Sequence, residues 1–260
     1  MSDTIVLPSA PNLRDLGGTP TASGTVRPGA LYRSATLVGL TEEDAAQLTA
    51  LGVRTVYDLR TADETTQSPD RLPAGVQAVS LDVLADSSLS VAATLGDLET
   101  DPKAFARNLA GGRAIRLFEE TYRDLVRLPS ALASYRGLLT GIIDDKRERA
   151  ALFHCTTGKD RTGWAAALVL SLLGASEEDI YADYLRTNTD LLPALAPQFA
   201  RLEELGLSRE DLLPVLGVRE SYLAAAFEQM REQFGSIEEY ALHGLGVAST
   251  EVTALRARLT

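Results

Sequence analysis

Along the first eighty residues the hydrophobic positions come in short runs, and beyond residue 112 they recur every three to four residues. "ALYRS" (Ala30–Ser34) follows a Pro-Gly turn and alternates as a short strand does. Thr41 with Asp44 approximates a capping box and opens an amphipathic helix through Leu51, stopped at Gly52. "VRTVYDLR", from Val53, is apolar and β-branched and predicts a strand, and the polar "TADETTQSPD" after it reads as a loop. "GVQAVSL", from Gly75, predicts another strand. Strand–helix–strand order at this spacing implies a parallel sheet with helices packed on it.

From Asp82 to Gly112 the pattern weakens. This stretch is acidic and Ser/Ala-rich, with one helix begun at Asp101-Pro102, and it reads as a lid or variable insertion. Helices return at Ala114–Arg127 and Pro129–Ile143, and "AALFH" is a short apolar strand ending at His154. Beyond Arg161 the pattern is helical. Ser176/Asp179, Ser208/Asp211 and Ser236/Glu239 each set an N-cap three residues before an acid. Gly174, Gly206 and Gly235 stand where C-caps belong. The expected organisation is one domain over 1–260, with 82–112 a variable insertion and 175–260 a helical C-terminal part.

Composition narrows the function classes. The chain has 260 residues, 45% hydrophobic and 23% charged, as a soluble globular protein would. A single cysteine excludes an intramolecular disulfide. The opening "MSDTIVLPSAPNLRD" lacks a basic segment followed by an apolar one, and no apolar run reaches the ~18 residues of a membrane span. A cytoplasmic protein without stable membrane insertion is expected; nothing in the composition sets an oligomeric state. The net charge of −11 argues against a nucleic-acid partner, and it means that an anionic substrate needs a local cluster of cations.

Such a cluster surrounds the cysteine. "LFHCTTGKDRTG" (Leu152–Gly163) reads as strand, loop and helix, with Cys155 at the carboxyl end of the strand, where α/β sheets place ligands. Five residues separate Cys155 from Arg161. A loop this short, closing on a helix N-terminus, turns backbone N–H groups inward as a nest for a tetrahedral oxyanion. Thr156, Thr157, Gly158 and Lys159 belong to that nest, Gly158 allowing the tight turn. Arg161 adds a planar fork for two oxygens of the same anion. In this field Cys155 is expected to act as its thiolate, with Thr162 placed to hydrogen-bond the sulfur as it leaves. A lone cysteine is more often a small buried hydrophobe, but Lys159, Asp160 and Arg161 are poor neighbours for one.

"HCTTGKDRTG" matches the H-C-x-x-x-x-x-R-[ST] signature of cysteine-dependent phosphatases. Together with "NLRDLGG", "VRPGALYRS", "LGVRTVYDLR", "ADYLRTN" and "VLGVRESYLAAA", it resembles the bacterial tyrosine and dual-specificity phosphatase family typified by mycobacterial protein tyrosine phosphatase B. The resemblance implies a phosphotyrosine-phosphatase-like α/β fold, a mostly parallel sheet flanked by helices, with C-terminal helices after Ser176 as a lid. It implies hydrolysis of phosphotyrosine, often phosphoserine/threonine and sometimes phosphoinositides, so that a phosphorylated protein or lipid is the partner. It carries the nucleophile onto Cys155, the phosphate clamp onto Arg161 and the family's "KD" pair onto Lys159 and Asp160.

Departure of the leaving group needs an acid. The chain has no Trp-Pro-Asp tripeptide, its one tryptophan being Trp164, so Asp160 is the family-consistent candidate and Asp82 and Asp86 are rivals. Arg14, Arg33 and Arg60 lie at strand ends in family-like blocks. Arg14 and Arg60 are taken as further phosphate contacts, with structural ion pairs as the alternative. Lys159 is expected to lean over the mouth and meet a second phosphate, or else to balance Asp160. Asp58 reads as a structural acceptor, His154 as orienting the loop and His243 as a helix-end residue. No metal or other cofactor is expected. An inositol-polyphosphate phosphatase, a rhodanese-type sulfurtransferase and a catalytically silent phosphoprotein-binding module are the competing readings.

Overall fold

The computed structural model describes residues 7–87, 111–144 and 149–260. Its apolar runs become the inner strands of one sheet. β1 (Arg14–Asp15), β4 (Leu31–Ser34), β5 (Val53–Asp58), β6 (Gln77–Ser80) and β7 (Ala150–His154) lie in the order β1-β4-β7-β5-β6. The last four are parallel, and β1 runs antiparallel at the edge. β2 (Pro20–Thr21) and β3 (Gly24–Thr25) form a separate ribbon. Every residue of β7 is buried, as the near-continuous apolar run of a central parallel strand requires. The period of two sends Leu152 to one face and Phe153 to the other, where they join separate hydrophobic clusters.

The smaller cluster sits under α1 (Glu42–Ala50), whose Thr41 caps the Asp44 N–H as expected. Here the sequence reading needs one correction. "TADETTQ" is not loop: Ala62–Gln67 forms a helix, α2. Thr61 and Glu64 close a full capping box, and that local chemistry outweighs the lack of an apolar stripe.

The larger cluster lies under α3 (Arg113–Arg127), α4 (Pro129–Asp144) and α5 (Arg161–Leu173). α5 is buried on nearly all sides, which an all-apolar helix demands, and it ends at Gly174 in the left-handed region. α6 (Glu177–Leu191), α7 (Ala196–Glu204), α8 (Arg209–Leu216), α9 (Glu220–Phe234) and α10 (Ser249–Leu259) follow, with a three-residue helix (Ile237–Glu239) and a π-helical turn (Tyr240–Gly244) between the last two. Ser176, Ser208 and Ser236 all cap as the sequence predicts. Among the described residues no helix is long and apolar enough to cross a membrane. Most of the expected insertion, including the helix begun at Asp101, lies outside the described residues.

Register positions the site. Ser34 of β4 and Asp58 of β5 both pair with His154 of β7, so three strands end on one line. Cys155 leaves the sheet at that carboxyl edge, between the loops that follow β4 and β5.

Candidate active site

Cys155 is 2% exposed and begins a loop that closes onto α5, with Arg161 as the first helical residue. Gly158 has φ 68°, and a Cβ there would stand 2.2 Å from the Ser34 carbonyl oxygen. Only glycine allows the loop to press this close to β4.

Three successive loop carbonyls are tied away from the cavity. Thr36 N–H donates to Thr156 O (3.1 Å), Asn12 Nδ2 to Thr157 O (3.2 Å) and Gly158 O (3.0 Å), and Arg33 Nη2 to Gly158 O (2.8 Å). A trans peptide points its N–H opposite to its carbonyl, so the amides of Thr157, Gly158 and Lys159 face the other way. The supports that set this orientation come from the turn before β1, from β4 and from the segment after β4. Tyr135 donates to Arg161 O at 3.2 Å from the far side.

Arg161 has a partner that sequence reasoning missed. Its Nη1 lies 2.6 Å from Glu64 Oε2 and its Nη2 2.9 Å from Oε1, an end-on bidentate pair. The Thr156 hydroxyl also donates to Glu64. Burial would raise the Glu64 carboxyl, but the hydrogen bonds and charge of Arg161 outweigh it and hold it down at about 2. The same pair, with the charge of Cys155, holds the Arg161 guanidinium above its ordinary value against the penalty of burial.

Asp160 accepts from Tyr122 Oη at 3.0 Å and from Lys159 Nζ at 2.9 Å. Tyr122 in turn shares a 2.6 Å hydrogen bond with Tyr184 of α6. Burial, then the charge of Asp160, pushes both phenols well above the usual range, so each stays a neutral hydroxyl. Lys159 does not lean over the mouth. It is 4% exposed, with Nζ 4.2 Å above the Phe118 ring and paired to Asp160. Thr162 is fully buried, and among the described residues its hydroxyl has no partner.

Four other expected site residues are engaged elsewhere. Arg14 is not presented to the nest: its Nε sits 2.7 Å from Asp183, and Nη1 donates to Asn12. Arg33 joins the same carboxylate at 2.6 Å, and Asp183 is held at about 2 because the two arginines overcome the effect of burial. Burial and the neighbouring Arg14 bring Arg33 down to about 10. Arg60 likewise turns inward, with Nη2 2.7 Å from Asp58 and 3.0 Å from Asp70. Both corrections have one cause: a guanidinium at a buried strand end must find a carboxylate, and the fold supplies one. Asp82 accepts from the Ala62 N–H at 2.9 Å, and Asp86 from the Ser130 N–H at 3.0 Å, so each rival acid caps a helix start.

His154 contacts Cys155 O through Nδ1 at 3.1 Å and Asp70 through Nε2 at 3.0 Å, which fits a loop-orienting role. Asp58, Asp70 and His154 form a three-ligand group of the kind that can hold a metal ion. The Arg60 guanidinium already bridges both carboxylates and brings a positive charge to the group, which makes it a poor cation site. His243 pairs with Glu239 at an exposed helix end, 3.0 Å away. Of the unforeseen residues, Glu64 had a legible signal, the Thr-x-x-Glu spacing of a capping box. Asp183 and Tyr184 lay in the family-like block "ADYLRTN" without a role assigned to them, and Tyr122 had no signal.

The family described as the tyrosine phosphatase family matches residues 5–260 of this chain. The triple specificity protein phosphatase PtpB of Mycobacterium tuberculosis is 34% identical, with 97% of this chain and 98% of that protein covered. A relative from Cupriavidus necator is 35% identical over 91% of this chain and 82% of its own length. A tyrosine-protein phosphatase of Nostoc commune is 30% identical, with 93% and 78% covered.

Proposed function

The chain belongs to the tyrosine phosphatase family, and from that premise we propose that it hydrolyses phosphotyrosine through a cysteinyl-phosphate formed on Cys155. The observation that carries the reading is the loop itself. A thiol and a guanidinium stand at its two ends, and its three middle carbonyls are tied outward, leaving N–H donors for an anion. Sγ of Cys155 attacks phosphorus as the ester bond breaks, and Asp160 gives its proton to the departing oxygen. Water then attacks the phosphocysteine, loses a proton to Asp160, and releases inorganic phosphate and the thiolate. Charge on the equatorial oxygens is met by Arg161 and the loop amides, with Thr157, Gly158 and Lys159 as backbone donors. The Thr162 hydroxyl, without a partner among the described residues, serves as the donor to the departing sulfur.

Lys159, enclosed against Phe118, supports a role in holding Asp160 rather than in meeting a second phosphate. The relative named for triple specificity supports extending the substrate class beyond phosphotyrosine to other phosphomonoesters. The large cluster running from Leu16 to Leu259 supports treating the chain as one domain.

One hydrolysis panel tests the proposal, comparing a phosphotyrosine peptide, a phosphoserine peptide, a phosphoinositide and inositol hexakisphosphate. Wild type is expected to favour the phosphotyrosine peptide, and Cys155→Ser to fall below about one per cent while still binding inorganic phosphate. Asp160→Asn is expected to slow phenyl phosphate about 10²-fold and p-nitrophenyl phosphate, which needs little protonation, far less. Turnover by Cys155→Ser, or a preference for the hexakisphosphate, overturns the reading.

A further inference from the structure

Glu64 sits on α2, a six-residue helix with no buried residue, yet its carboxylate accepts four hydrogen bonds. Oε2 takes the Thr61 N–H at 2.9 Å and Arg161 Nη1 at 2.6 Å; Oε1 takes Arg161 Nη2 at 2.9 Å and the Thr156 hydroxyl. A capping box needs only the first of these four bonds. The other three tie the helix to the two ends of the catalytic loop.

A guanidinium offers two bidentate edges, the end-on pair of Nη1 and Nη2 and the side-on pair of Nε and one Nη. Glu64 takes the end-on edge. Among the described residues Nε has no hydrogen-bond partner, and the remaining contacts of Nη1 and Nη2, to Leu59 O and Thr156 Oγ1, are long at 3.4 and 3.3 Å. The side-on edge is therefore the one left for an oxyanion.

We propose that Glu64 is a positioning residue: it fixes the Arg161 guanidinium by one edge so that the other is presented to the transferring phosphoryl group. The inference rests on Arg161 acting as the phosphate clamp. Two parallel bonds from the guanidinium to a carboxylate that the Thr61 N–H and the Thr156 hydroxyl hold in place restrict the guanidinium to one plane. Misplacing a positioned group by about 1 Å costs on the order of 10²-fold in rate. Because the clamp matters most when charge spreads over the equatorial oxygens, the loss falls on kcat more than on KM.

The test compares Glu64→Gln, Glu64→Asp, Arg161→Ala and the double variant Glu64→Gln/Arg161→Ala, with kcat and KM for p-nitrophenyl phosphate. Alkylation of Cys155 by iodoacetate supplies a readout that needs no turnover. Glu64→Gln is expected to lose about 10²-fold in kcat with a smaller rise in KM, and Glu64→Asp, which keeps the charge on a shorter arm, to lose less. In the Arg161→Ala background, Glu64→Gln is expected to cost nothing further by either readout. Thr61→Ala removes the helix cap but not the pair, so it should lower Tm while kcat/KM stays within about twofold.

The proposal is overturned by a Glu64→Gln kcat within about twofold of wild type, or by an equal loss in both backgrounds, which would mean that Glu64 acts without Arg161. A harmless Arg161→Ala instead removes the clamp reading itself, and the two failures are thereby told apart.

Discussion

Arg14 and Arg33 share Asp183 beneath the Cys155 loop, whereas Arg161 shares Glu64 at its rim. Both assemblies pair guanidinium with carboxylate at 2.6–2.7 Å, and in both the carboxylate is held at about 2. They differ in closure. The side chains of Arg14 and Arg33 are 0% exposed and those of Arg161 and Glu64 are 11% and 23% exposed. The lower assembly directs its Nη donors and Arg14 Nε to Asp183, Asn12, Thr187 and the Gly158 carbonyl, and its one unpartnered donor, Arg33 Nε, is sealed from solvent. Arg161 keeps a side-on edge out of protein contacts. Charge that shapes the loop is enclosed, and the charge proposed to meet a substrate is anchored on one side only.

The largest effect expected is on stability. Asp183→Asn leaves two enclosed guanidinium groups short of a counter-charge; Asp190, 3.9 Å from Arg14, replaces little of it. A loss of about 3–5 kcal/mol is expected, a large share of a typical domain's total. Urea denaturation checks this, and a midpoint unchanged from wild type would erase the distinction between the two assemblies.

Arg161→Ala should show the converse. Removing the clamp is expected to lower kcat/KM by about 10²–10³-fold, as losing a preorganised donor does. Glu64, 23% exposed, can rehydrate in part once Arg161 is gone, so the stability loss should be smaller than that of Asp183→Asn. Parallel melting curves and kinetics decide, and a variant that unfolds rather than one that folds and fails would place Arg161 with the structural arginines.

The smallest effect is the acid limb of stability, where both assemblies contribute. Their carboxyls fall from ordinary values of 4.5 for Glu64 and 3.8 for Asp183 to about 2 when folded. A depressed carboxyl stabilises fully above its unfolded value, and the contribution is lost as pH falls through the folded one. Tm is therefore expected to decline between about pH 4.5 and pH 2. Asp183→Asn should flatten part of that decline, and Glu64→Gln another part. A decline of the same size in both variants would remove these two carboxyls as its source.

Much of this was legible in the chain because it is local. Strands at Leu31, Val53, Gln77 and Ala150, serine caps at 176, 208 and 236, and the Cys155-to-Arg161 spacing follow from periods and turn chemistry within a few residues. The loop's backbone geometry followed too, since a five-residue gap ending on a helix leaves few conformations. α2 was missed although its capping box is written in Thr61 and Glu64, because six polar residues carry no apolar stripe. What each buried charge faces was not legible. Arg14 is 169 residues from Asp183 and Arg161 is 97 from Glu64, and only the alignment of strand ends with α2 and α6 brings them together. An arginine at a strand end reads the same whether it meets phosphate or an interior carboxylate. The sequence by itself determined that a thiol and a guanidinium would stand at the two ends of one short loop between a buried strand and a helix. Tertiary structure decided what the buried arginines face: Arg14 and Arg33 turn onto Asp183, and Arg60 onto Asp58 and Asp70, because an enclosed guanidinium needs a counter-charge and the fold alone chooses which ones are enclosed.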